Sequence, residues 1–479
     1  MDGGGGERVH RRRRQGPRGG RSRRALRRGA LAAAAWGLPA AALAHASGRM
    51  VILTLPTGAY MIGAAFAVVL TAIAGLAARA LPRFPARRLF CRRILVPRAV
   101  TSWLAALGLG GLVWAGLAGS RDPLGNLLPL TVWSLIWVGL TVLCVLFGNL
   151  WRDIEPWTGP VRSLRRLLGR RGGAGLGRFG HLPAVLGYLA FAWFEIVSLA
   201  PADPAVLARA VAGYYLLILV LAVAEGEAWL DQGEFLTVYF GFVSRIAPFW
   251  AERSGEGLAV MAGVPGAQIL RAAPLSPSAI AFVTLVLASV SFDGLAETFV
   301  WLSLLGINPL EFPGRSAVWL VNSLALPLFW ALSAGLVLAA IRAGLPRGSF
   351  ARAAGPLMLS FLPIAAGYHV AHYLVALLTD GQYALAALSD PFGRGWNLLD
   401  RTARDVTFGF LMTREGVQAV WMAQFLTILG AHLLAVLLNF RLLDGVPGGQ
   451  RLGAHLPMTV LMVGYTVFGL WLLSAPAAG

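Results

Sequence analysis

The chain has 479 residues, of which 57% are hydrophobic and 13% charged, with a mean hydropathy of +0.67; this excludes a water-soluble globular domain and predicts an integral membrane protein. Its formal net charge of +19 is carried by arginine alone, and eleven of the 41 arginines fall in the first 28 residues. Beyond residue 44 the balance is only +10, so the charge belongs largely to the head of the chain and nucleic acid is not an expected partner.

The head runs in three parts: a Gly/Arg-rich start, an apolar stretch from Gly29 to Leu43, and the small-residue triplet Ala42-Leu43-Ala44. This is the order of a secretory signal peptide. Residues 1–44 are therefore read as an Arg-rich head and signal peptide, and 45–479 as a polytopic membrane domain. Cleavage after Ala44 would leave His45 at the new terminus. Its α-amine and imidazole then form a nitrogen pair suited to copper or zinc.

Stretches near twenty apolar residues predict ten spans, at roughly 57–80, 99–119, 128–150, 183–200, 205–225, 277–305, 316–341, 354–378, 417–440 and 456–474. The expected fold class is thus an all-α integral membrane protein of about ten transmembrane helices after a signal peptide. Arginine sets the orientation. Loops 81–98, 151–182, 226–276, 342–353 and 441–455 hold 6, 7, 3, 3 and 2 arginines, against 1, 0, 1 and 4 in 120–127, 201–204, 306–315 and 379–416. The positive-inside rule makes the first set cytoplasmic and both mature termini external. Cys91 sits in a basic loop and Cys144 in an apolar run, which suggests neither a disulfide framework nor a cysteine metal cage. Two connections stand out: an insert at 226–276, with a short apolar segment that reads as interfacial or re-entrant, and an external loop at 379–416 whose SDPFGRGWNLLD run is rich in turn formers.

Ionisable residues inside spans are costly and usually functional. The YHVAHY run places His369 and His372 three apart in the eighth span, and Asp293 and Glu297 lie four apart in the sixth, so each pair shares a helix face. The topology puts all four in the outer half of the membrane. Glu195, near the external end of the fourth span, and His45 reach the same depth. Imidazole and carboxylate together suit a divalent metal, zinc or copper, with an open position for water or substrate. The expected assignment makes His369, His372, His45 and Glu195 metal ligands, with Asp293 and Glu297 as ligands or general base. The same groups could instead carry protons or bind a cation in transit. On the opposite side, Glu225, Glu227, Asp231 and Glu234 are expected to neutralise Arg245 or Arg152, and His432 to serve helix packing.

The runs LFGNLWRDIEPWTGP, GEAWLDQGEFLTVYFGFVSRIAP, YHVAHY, SDPFGRGWNLLD and LPMTVLMVGYTVFGLWLLS together resemble the bacterial multi-spanning membrane family called fenitrothion hydrolases. The resemblance extends from the signal-peptide junction to the C-terminus and implies a bacterial inner-membrane protein linked to cleavage of an organophosphorus ester. Combined with the depth argument, it predicts an outward-facing metal site that hydrolyses a phosphotriester, a small and partly apolar substrate that can enter from the outer leaflet. The competing expectation is a copper-handling or other metal-transport protein with His45 as the first ligand. The lipid bilayer is the expected partner in either case.

Overall fold

The computed structural model describes residues 57–78, 83–93, 96–254, 257–346, 348–449 and 452–477. The head, the signal-peptide junction and His45 lie outside the described residues. In chain order the elements are α1 (Thr57–Ala77), β1 (Ala86–Arg93), α2 (Arg98–Ala118), α3 (Leu127–Phe147), α4 (Thr158–Leu167), α5 (Leu182–Ile196), α6 (Pro204–Glu225), α7 (Phe235–Ile246), β2 (Phe249–Ser254), β3 (Gly257–Gly263), α8 (Pro277–Ala296), α9 (Phe299–Leu304), α10 (Trp319–Gly344), α11 (Phe350–Ser389), α12 (Arg414–Asp444) and α13 (Leu452–Ser474).

Polar residues followed by proline or apolar runs start several of these helices, in keeping with capping chemistry. Asp203 accepts from the N–H groups of Ala205 and Val206 at 2.9 and 2.8 Å at the start of α6, with Pro204 at the first helical position. Ser276 and Pro277 do the same for α8, and Thr413 caps α12. Among the described residues nine helices are long and apolar enough to cross a membrane, so the fold is a mostly helical multi-spanning bundle. Two of them form its interior: 78% of the apolar window of α8 and 61% of that of α11 is buried, against 17% for α1 and α2.

The expected set of spans needs three corrections. The fourth predicted span is α5, with 15 residues, about 22 Å at 1.5 Å per residue and short of a hydrocarbon core of about 30 Å. The sixth does not run on to residue 305. Thr298 leaves the helix, its hydroxyl accepts from the Trp301 N–H at 3.1 Å to cap α9, and the Phe299 N–H donates to Pro476 at 2.9 Å. Residue 378 does not end the eighth span, because α11 continues to Ser389.

The all-α expectation also fails at the arginine-rich end, where β1, β3 and β2 form an antiparallel sheet in that order. Central β3 pairs Leu258 with both Arg92 and Arg253, Val260 with Phe90 and Ala251, and Ala262 with Arg87 and Phe249. A bulge between Arg88 and Phe90 adjusts the register of β1. The strands come from two loops more than 150 residues apart in the sequence, which is why neither loop announces a sheet alone.

Candidate functional site

α3 contributes the first part of the site. Its residues Leu130–Leu140 form a π-helical stretch with i→i+5 bonding, an uncommon geometry that recurs at functional positions. Within it the Trp137 carbonyl accepts from two side chains, the Thr141 hydroxyl at 2.7 Å and Nε2 of His369 at 2.9 Å. That carbonyl can only accept, so His369 carries its proton on Nε2 and its Nδ1 is a bare acceptor, buried with no hydrogen-bond partner. The His369 ring stands edge-on to Trp137, with centroids 4.6 Å apart.

One turn along α11 lies the centre of the network. His372 Nε2 lies 2.9 Å from Asp293 Oδ2. The Tyr373 hydroxyl lies 2.7 Å from that same Asp293 oxygen and 3.0 Å from Oε1 of Glu195. Three helices therefore meet here: α5 brings Glu195, α8 brings Asp293, and α11 brings His372 and Tyr373. Glu195, Asp293 and Tyr373 are all buried, while the His372 side chain keeps 18% of its surface exposed. The α5 helix is held in place by Tyr188, whose hydroxyl meets Ser289 of α8 at 3.0 Å, and by Arg315, which donates to the carbonyls of Glu195 and Ser198 at 2.7 and 3.2 Å. A cation at that helix C-terminus is favourable to the helix dipole.

These distances count protons. A phenol owns one hydrogen, so Tyr373 can donate to only one of its two carboxyl neighbours. If both were ionised, the other carboxylate would confront the phenol lone pairs at hydrogen-bond distance. The arrangement closes when one carboxyl is protonated: Tyr373 and His372 both donate to Asp293, and Glu195 donates to the Tyr373 oxygen. A chain of hydrogen bonds from Glu195 to His372 then holds one proton more than two free carboxylates would.

The structure thus brings together Asp293, Glu195 and His372 of the predicted set. His369 shares the α11 face but turns to Trp137 instead. Glu297 is the C-cap of α8, still right-handed helical at φ −95° and ψ −9°, and stands close enough to His372 for its charge to act on that imidazole. Tyr373 was missed, although its spacing of four from His369 marks it as a neighbour on the same face. Gly294 leaves room beside the site, since a Cβ there would fall 2.6 Å from the Tyr368 hydroxyl.

The metal expectation is overturned. Among the described residues no group of three or more His, Cys, Asp or Glu side chains is placed to hold a metal ion. The physical reason is that the two imidazoles do not converge: one is bound to a backbone carbonyl of α3 and the other to a carboxylate of α8. With the metal go the zinc or copper cofactor, the metal-dependent phosphotriester hydrolase built on it, the roles of Asp293 and Glu297 as its ligands or base, and the alternative of metal handling or ion transit.

The acids at the other end are structural partners, but not of Arg245 or Arg152. Glu227 pairs with Arg162 through two guanidinium nitrogens. Glu225 accepts from the N–H groups of Leu176 and Gly177 at 2.9 and 3.1 Å, and Glu234 caps α7 while taking the Tyr214 hydroxyl at 2.5 Å. His432 donates from Nδ1 to the Ile428 carbonyl of its own helix, 2.9 Å away.

In the same region Glu155 is fully buried, accepts from the N–H groups of Trp157 and Thr158, and meets Arg98 at 3.3 Å. Burial raises its carboxyl above the ordinary value, against the opposing pull of Thr158, the Trp157 N–H and Arg98. A raised value means that folding favours the protonated form, so this contribution is complete below the ordinary carboxyl range and is lost as pH rises through the raised one. The thermal midpoint of the wild type in detergent should fall across that window relative to Glu155→Gln, which cannot ionise. Parallel curves for the two proteins would refute this.

Compared with known protein families, with curated proteins and with solved structures, the chain matches none.

Proposed function

We propose that this multi-pass protein contains a buried proton-binding switch, in which Glu195, Tyr373, Asp293 and His372 hold one exchangeable proton that governs how α5, α8 and α11 pack. One observation carries this reading: a single phenol hydroxyl lies within hydrogen-bond distance of two buried carboxyls. With the proton present, each of these contacts has a donor and an acceptor. Without it, two like charges share a dry site, which is the arrangement that buried carboxylates avoid. Losing the proton therefore favours separating α5 from α8, and a packed interior answers such a stress by switching between discrete arrangements. His372 is the partly exposed member and provides the route of exchange. The four groups sit at one level of the bundle, which suits holding a proton and changing shape. Kinship with the multi-spanning family that the sequence motifs resemble is part of this proposal, without the hydrolytic role.

Reconstituted protein titrated from alkaline to acid conditions with a soluble pH dye should bind one more proton per chain than Glu195→Gln. Glu311→Gln, at an exposed surface acid, should resemble the other surface carboxyls and leave the step associated with the site intact. Equal uptake by wild type and Glu195→Gln would sink the reading.

A further inference from the structure

The sheet at the arginine-rich end has two unlike faces. Residues paired across an antiparallel ladder share a face, so the register places Arg87, Phe90 and Arg92 of β1, Leu258, Val260 and Ala262 of β3, and Phe249, Ala251 and Arg253 of β2 on one side. The opposite side holds Trp250 and Ala259, both buried, so its β2–β3 part faces the body of the protein, while Arg88, Cys91 and Arg93 of β1 on that side remain exposed. The sheet's one acid, Glu252, is on that inner side, accepting from Trp250 Nε1 at 2.7 Å and standing 3.8 Å from Arg271.

The outer side therefore combines three exposed arginines, no acid, and an apolar centre. Phe90 is 56% and Phe249 45% exposed. It is also continuous with a membrane-spanning surface. Phe249 stacks on Phe147 with ring centroids 6.4 Å apart and planes 25° apart, and Phe147 is the last residue of α3, itself 50% exposed. Exposed apolar rings thus run from the end of a span onto the sheet.

We propose that the outer face of this sheet is a docking surface for anionic phospholipid, with Phe90, Val260 and Phe249 in the headgroup–acyl boundary and Arg87, Arg92 and Arg253 on lipid phosphates. Aromatic residues settle at that boundary, and basic groups near an anionic leaflet each add attraction. The guanidinium fork matches a phosphate better than an ammonium does, in keeping with a chain whose basic residues are all arginine. Because β1 comes from one loop and β2 and β3 from another, lipid held on this face also ties the end of α1 to the α7–α8 connection.

The test is a fluorophore at Phe90→Cys in a Cys91→Ser, Cys144→Ser background, reconstituted in liposomes and quenched by spin-labelled phosphatidylglycerol, spin-labelled phosphatidylcholine or aqueous iodide. Phosphatidylglycerol should quench it more effectively than phosphatidylcholine by about tenfold, on the scale of the attraction of a few basic residues to an anionic surface. In Arg87→Gln/Arg92→Gln/Arg253→Gln that preference should vanish while the unfolding midpoint and quenching by phosphatidylcholine persist. Equal quenching by the two lipids in the parent protein would overturn the proposal. So would free access of iodide matching that at Leu310→Cys, a position 83% exposed, or protection that appears only when a soluble acidic protein is added.

Discussion

Asp293→Ala should be the most damaging single change in the bundle, lowering stability in detergent by about 3–5 kcal/mol, the range for removing one partner of a buried ionic pair. Its Oδ2 meets both His372 and Tyr373, so alanine strands two polar groups beside Glu195. An isolated interhelical hydrogen bond in a membrane protein averages about 0.6 kcal/mol. A loss of that smaller size would show that the contacts act as ordinary packing bonds. Asp293→Asn, which keeps an acceptor oxygen, should recover part of the loss. Adding His372→Ala to Asp293→Ala should cost less than the separate effects combined, because the second change removes a group already without its acceptor. Unfolding midpoints of the four proteins, measured in one detergent, decide the point.

Tyr373→Phe should lower stability by about 2 kcal/mol, since it removes a hydrogen bond to a charged carboxylate and a second one to Glu195 without changing the shape of the ring. Its second effect is the more diagnostic. With no hydroxyl between the two carboxyls, the proton loses its bridge, and exchange at the site should no longer depend on Glu195. The pH-dependent difference between wild type and Glu195→Gln should accordingly shrink when both carry phenylalanine at 373. A difference that survives intact would assign the proton to a site outside this network. His369→Ala provides a contrast: it loses one bond to the Trp137 carbonyl and should leave proton binding in place.

The sequence made several members of the site legible but not its connections. Arginine counts and span lengths brought Glu195, Asp293 and His372 to one level, and the structure joins these three. What the pattern could not convey was the direction of each side chain. Helical spacing put His369 beside His372, yet Trp137 sits in a π-helical stretch that offers its carbonyl from a neighbouring helix, and no periodicity in α3 predicts this. Spacing also put Glu297 under Asp293, and it closes α8 as its C-cap, one residue before Thr298 caps α9. Tyr373 lay in plain view within YHVAHY. A search for metal ligands passes over a phenol, although a phenol is the group best able to bridge two acids.

The sheet was hidden for another reason. Arginine-rich β1 has no clean alternation of polar and apolar residues, and the Arg88–Phe90 bulge shifts what alternation there is. Its partner strands arrive from the distant insert at 226–276, where the sequence pointed to an interfacial or re-entrant segment. Pairing between loops supplies the missing order. Glu227 illustrates the same limit: its neutralising partner is Arg162, close in space but remote in sequence.

The central claim is that one proton is shared between two buried carboxyls bridged by Tyr373. Infrared difference spectroscopy of the reconstituted protein, recorded in light and heavy water, reads it most directly through the carbonyl stretch of a protonated carboxylic acid. The account predicts such a band in the wild type at neutral pH, shifted by deuterium and abolished by Glu195→Gln but retained in Glu311→Gln. A wild-type spectrum without the band, or a band unchanged by Glu195→Gln, would contradict it.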